Sequence, residues 1–118
     1  MPSPRYKKLV VLDFEIVGFH FWPEAIPQVD FLKYPHRHIF QIRVHIEVKH
    51  NNRQKEIFIE TEKLQNYISN VFGTPANFEN MSCEAIAEHI LEYGSSYDYT
   101  KVEVYEDGKG GAIVQYDN

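Results

Sequence analysis

Three histidines, His20, His36 and His38, carry the chemistry that this chain can do, because two alternating segments set them on one otherwise apolar face. Leu12, Phe14, Ile16, Gly18 and His20 step by two, with Asp13 and Glu15 on the opposite parity. His36, His38, Phe40, Ile42, Val44, Ile46 and Val48 share a second parity, against Arg37, Gln41, Arg43, His45 and Glu47. Side chains two apart project to the same side of a strand. A buried imidazole left without a partner bears its full desolvation cost, so three on one face need an explanation. Three imidazoles gathered at strand ends suit a tetrahedral Zn²⁺ whose fourth position stays open, with ring nitrogens about 3–4 Å apart. The alternative is three histidines that are separately hydrogen-bonded in the core or at the surface.

Glu106 passes the same parity test. Thr100, Val102, Val104 and Glu106 share a face, so a carboxylate ends a buried row. Such a group is either solvated at a strand end or anchors something polar. An aminopyrimidine edge offers the two parallel N–H donors that one carboxylate can accept. Cys83 falls in an apolar helical stripe and reads as core. His45, His50 and His89 fall on polar faces or in turns and read as solvated.

The elements that must position these groups read as strand, strand, helix, helix, strand, strand. Residues 6 to about 20 form the first strand, and the three-proline stretch FWPEAIPQVDFLKYP is a loop, since proline cannot donate to a ladder. Residues 36–49 form the second strand, His50-Asn51-Asn52-Arg53 a turn, and residues 56–60 a short returning strand. Leu64, Tyr67, Ile68 and Val71 then fall at helical spacing, with Thr61 as N-cap and Gly73 as the stop. A second helix follows Ser82 and ends at Gly94, with Cys83, Ile86, Ala87, Ile90 and Leu91 as its apolar stripe. Residues 100–106 and 112–116 are the last strands, joined by Asp107-Gly108-Lys109-Gly110-Gly111. The expected object is a single α+β domain over residues 1–118: a four-stranded antiparallel sheet with two helices on one face.

Composition narrows the function classes. A net charge of −5 argues against nucleic acid as the main partner, a local basic patch aside. One cysteine precludes an internal disulfide and fits a reducing compartment. No stretch approaches a membrane span, and the N-terminus MPSPRYKK lacks the apolar core of a signal peptide, so the expected location is cytoplasmic, away from membranes. Eight Phe and eight Tyr suit a sheet whose second face is covered by another subunit.

The ordered segments FEIVGFH, HRHIFQIRVHIEV, SCEAIAEHI and KVEVYEDGKGGAIVQY resemble the 6-pyruvoyl- and 6-carboxy-tetrahydropterin synthases over nearly the whole chain. In that family a strand histidine precedes a His-Gly-His motif, an Asp-Phe-x-x-Leu and a Thr-x-Glu-Asn helix start follow, and a Val-x-Val-x-Glu-Thr strand completes the pattern. The resemblance implies the tunnelling fold, in which β-β-α-α-β-β subunits join their sheets into rings. It implies a trimer, or a hexamer of two stacked trimers, with sites between subunits. His20, His36 and His38 match the family's zinc ligands, and Glu106 matches the glutamate that holds the pterin ring.

The proton relay does not carry over. Leu32 stands where the family has its catalytic cysteine. Tyr67-Ile68-Ser69 stands where its Leu-Asp-His segment falls when counted back from Ser82, taken as the family Thr. Arg37 replaces the middle Gly of His-Gly-His, and Asp107 the Thr after the glutamate. Glu60 and Thr61 replace the Asp and Phe of Asp-Phe-x-x-Leu, whose Leu is kept as Leu64. Ile68 and Ser69 cannot move protons as Asp and His would, and general acid–base catalysis is worth about 10²–10⁴-fold. Family members with glutamate in place of the cysteine make Asp30 and Glu24 the candidate replacement bases, although neither sits at the aligned position. Two readings follow. One is a divergent, lyase-like zinc protein that binds a pterin or purine-derived ligand, its usual carbon–oxygen lyase activity lost. The other is a non-catalytic binding or structural ring protein of the same fold.

Overall fold

The computed structural model describes residues 6–117. The chain runs β1 (Lys8–His20), a 3₁₀ segment (Pro27–Lys33), β2 (His36–Val48), α1 (Ile57–Phe72), β3 (Ala76–Asn77), α2 (Cys83–Tyr93), a 3₁₀ turn (Gly94–Ser96), β4 (Tyr99–Glu106) and β5 (Gly110–Gln115). The sheet order is β3-β1-β2-β4-β5, with antiparallel pairs except for β3, which runs parallel to β1. The α+β class and the order of the long elements follow the alternation and the helical stripes. The sheet is five-stranded and mixed rather than four-stranded and antiparallel.

Both departures have physical causes. β3 is only two residues long, too short to show any period. It can lie close because Gly18 offers no side chain: a Cβ there would sit 3.0 Å from the Phe78 ring and 3.1 Å from the Ala76 carbonyl. The second departure is at residues 56–60, which open α1 instead of forming a strand. β2 already has β1 on one edge and β4 on the other, so a returning strand beside it would find no free edge. Glu56 is the N-cap in place of Thr61, its side chain accepting from the N–H groups of Phe58 and Ile59 at 2.9 and 3.1 Å. α2 begins after Ser82, whose hydroxyl accepts from Ala85, and ends at Gly94, as the sequence predicts.

The helices cover one face of the sheet. Leu12, Phe40, Ile42, Val44, Ile46, Val102 and Val104 are buried there against Leu64 and Ile68 of α1 and Ile86 and Ile90 of α2. On the other face the polar parity makes its own network. Arg43 bridges Asp13, and His45 Nε2–H donates to Glu103 Oε2 at 2.6 Å, so His45 is paired rather than solvated. His89 is likewise held, against the Tyr67 hydroxyl at 2.8 Å. Glu103 is kept below the usual carboxylate range by hydrogen bonds from Tyr105 and His45, which outweigh the burial that would raise it. Among the described residues no helix is long and apolar enough to cross a membrane.

The β4–β5 hairpin turns on Asp107 and Gly108, both at positive φ (53° and 69°), with the Lys109 N–H donating to the Glu106 carbonyl at 3.0 Å. Just beyond it, a Cβ on Gly111 would lie 1.9 Å from the Val104 carbonyl oxygen, a backbone atom that cannot swing away. Gly111→Ala is therefore expected to destabilise the fold by about 1–3 kcal/mol. A lowered urea midpoint would show this, and an unchanged midpoint would refute the close approach.

Candidate metal and ligand site

Register brings the site together. His20 ends β1 directly opposite His36, which begins β2, and Gly18 faces His38. Phe40 pairs with Glu106 at the end of β4, so that carboxylate reaches the same corner from a third strand. One ring nitrogen from each of His20, His36 and His38 lies within 4.8 Å of the other two. Bonds of roughly 2.0–2.1 Å to one ion would draw them to about 3–4 Å.

The hydrogen bonds of the rings decide which nitrogens converge. His20 Nδ1 lies 2.9 Å from the Met81 carbonyl, His36 Nδ1 2.9 Å from the Tyr34 carbonyl, and His38 Nδ1 2.7 Å from Asp107 Oδ2. Every partner is an oxygen that only accepts, so each Nδ1 carries the proton and each neutral ring keeps its lone pair on Nε2. The Nε2 atoms of His20 and His38 are buried without any hydrogen-bond partner. Yet His20 Nε2 is 3.1 Å from Glu106 Oε1, and His38 Nε2 3.5 Å from Oε2. These are contacts without hydrogen-bond geometry. Lone pairs facing a carboxylate are repulsive unless a proton or a cation lies between them. Burial also lowers the His20 pKa, helped by His36 and His38 and opposed by the Met81 carbonyl and Glu106, so the neutral ligand form is favoured.

A cavity of about 790 Å³ opens over the histidines, within the range of small-molecule sites. Its walls include Trp22, Leu32, Cys83 and Glu106, with the N-terminus of α2 on one side and the β4–β5 turn on the other. Backbone hydrogen bonds from Phe21 to Glu79 and from Trp22 to Leu32 hold the loops that close it.

The remaining candidates are dispersed. Asp30 is exposed in an ion pair with Lys33 at 2.6 Å, Glu24 is exposed, and neither lines the cavity. Ile68 is core, and the Ser69 hydroxyl bonds Thr74 beside a separate cavity between α1 and residues 73–76. Leu32, which the sequence resemblance aligns with a cysteine, does line the histidine cavity. Cys83 is buried as its stripe requires, but it also touches the site, donating to Glu106 Oε1 at 3.5 Å. Burial, with Glu106 beside it, pushes this thiol up to about 12, so it is no thiolate at neutral pH. Asp107 is the residue that sequence reasoning missed. It was visible only as a departure from the family Thr, because its partner His38 belongs to a strand far away in sequence.

No protein-family profile and no curated protein matches the chain. Solved structures do. An uncharacterized protein from Wolinella succinogenes superposes with a TM-score of 0.69 at 13% identity, covering 95% of this chain and 99% of that one. The 6-pyruvoyl tetrahydropterin synthase of Caenorhabditis elegans superposes with a TM-score of 0.61, also at 13% identity, covering 95% and 97%. The chain therefore has the tetrahydropterin synthase fold, and at this identity the likeness is one of fold alone.

Proposed function

We propose that this chain is a divergent tetrahydropterin synthase-like protein that binds Zn²⁺ through the Nε2 atoms of His20, His36 and His38. In this reading it takes up a pterin or purine-derived ligand against Glu106, and the family's usual proton relay is lost. The observation that carries the metal is the fixed tautomer of all three rings, with two buried Nε2 atoms lacking any hydrogen-bond partner. Bound there, Zn²⁺ would act as a Lewis acid toward ligand oxygens entering from the cavity. Glu106 supplies a carboxylate edge for an aminopyrimidine, and Trp22 and Leu32 supply apolar walls for a flat ring.

Loss of the relay is supported by chemistry at the aligned positions. Leu32 has no proton to move, Ile68 is packed in the core, and the Ser69 hydroxyl bonds Thr74 away from the histidines; Cys83, the nearby thiol, holds its own proton. Self-association into a trimer or a hexamer of trimers fits a sheet face that leaves Leu9, Val11, Ile39 and Ile113 exposed. A cytoplasmic location fits the single unpaired cysteine.

The test is a binding titration with a pterin and a purine beside a turnover assay on 7,8-dihydroneopterin triphosphate. The native protein is expected to bind without appreciable turnover. Glu106→Gln is expected to weaken binding, since a neutral amide cannot reproduce a charge-assisted pair. Binding unchanged by that substitution would remove the ring from Glu106. Family-like turnover would overturn the lost relay and point to Asp30 or Glu24 as the replacement base.

A further inference from the structure

Asp107 is the first residue beyond β4, and its two carboxylate oxygens are divided between two neighbours. Oδ1 accepts the Ile39 N–H at 2.8 Å, and Oδ2 accepts His38 Nδ1–H at 2.7 Å. Its own N–H donates to the Ile39 carbonyl at 2.8 Å, so backbone and side chain both clamp the residue beside His38. The other two histidines give their Nδ1 protons to uncharged backbone carbonyls. Of the three, only His38 has an anionic partner at Nδ1.

We propose that Asp107 is a positioning residue for the metal site, fixing the tautomer of His38 and strengthening its Nε2 as a donor; this rests on the three-histidine metal reading. A carboxylate behind an imidazole holds the proton on the far nitrogen and raises the basicity of the near one, an effect worth about 10–100-fold in metal affinity. The second bond, to Ile39, keeps the carboxylate from rotating away. Asp107 also occupies the left-handed region at φ 53°, so a pure turn role is the competing explanation.

Two substitutions separate these roles. In Asp107→Asn one oxygen is replaced by an N–H donor. Facing Ile39, that donor meets a backbone N–H that cannot give up its hydrogen. Facing His38, it meets a proton that can move to Nε2, which removes the metal-binding lone pair. In Asp107→Ala, water can accept the Nδ1 proton, because the Asp107 side chain is 46% exposed. A turn role predicts the reverse order, since Asn tolerates positive φ and Ala does not.

The experiment is a Zn²⁺ titration against a chromophoric chelator for the native protein and both variants. It is paired with ¹⁵N spectra of the imidazoles in the metal-free proteins at a pH where they are neutral. Expected are an affinity loss of about 10–100-fold for Asp107→Asn, a smaller loss for Asp107→Ala, and a His38 proton that sits on Nδ1 in the native protein and on Nε2 in Asp107→Asn. Native-like affinity in Asp107→Asn, or a weaker Asp107→Ala, overturns the assignment. A native protein that binds no Zn²⁺ refutes the metal reading itself, and the imidazole spectra then still report whether Asp107 sets the tautomer.

Discussion

Stripping Zn²⁺ with a chelator is expected to lower the melting temperature of the loaded protein by about 12–20 °C. A ligand at a thousand times its dissociation constant stabilises the folded state by about 4 kcal/mol. For a chain of 118 residues each kcal/mol corresponds to roughly 3–5 °C. His20→Ala, His36→Ala and His38→Ala should each abolish most of the shift, since losing a ligand costs more than the about 10–100-fold that follows loss of a supporting partner. The pH dependence has a definite sign. Ligating imidazoles must be neutral, so the shift should shrink as pH falls below the ordinary histidine range, about 6.5. The metal-free protein moves the same way. The folded-state pKa of His20 lies below its unfolded value, so its contribution is present above about 6.5 and is lost as pH falls toward the folded value. Differential scanning fluorimetry with and without chelator, beside metal analysis of untagged protein, measures both effects. A melting temperature indifferent to chelator and to added Zn²⁺ would sink the metal site.

The parts of the site legible in the sequence are those that depend only on a period of two. Parity alone put His20, His36 and His38 on an apolar face and Glu106 at the end of a buried row, and all four line one cavity. What parity cannot supply is which strand lies beside which. Asp107 acts on His38 because β4 pairs with β2, and no local pattern announces that pairing. The same gap hid β3, whose two residues are held beside β1 by a glycine's missing side chain. It also misassigned Ile57, Phe58 and Ile59, an apolar run that reads as a strand yet forms an exposed first helical turn. Those residues follow a long strand whose edges are both occupied, a fact of the assembled sheet rather than of the segment. Charged neighbours were misread for a related reason. His45 looked solvated until Glu103, from the adjacent strand, became its partner.

Phe40→Ala is expected to cost about 3–5 kcal/mol of stability, a large share of the roughly 5–15 kcal/mol that a folded domain commands. Phe40 is fully buried in β2, two residues from His38, between Ile16 of β1 and Glu106 of β4. Its ring meets those of His20, His38 and Phe78 edge-on, at centroid distances of 5.2, 5.6 and 5.1 Å. It is thus both a fully buried core residue and the floor on which two of the three histidines rest. Removing the ring leaves a cavity under His20 and His38, and their orientations then depend on single hydrogen bonds at Nδ1. Zn²⁺ affinity should therefore fall even at temperatures where the variant is folded. Phe40→Leu, which fills more of the space, should retain more of both stability and affinity. Chemical denaturation gives the first quantity and a chelator-competition titration the second. If Phe40→Ala lost stability while binding Zn²⁺ as tightly as the native protein, the packing would not be what aims the imidazoles, and their hydrogen bonds would suffice.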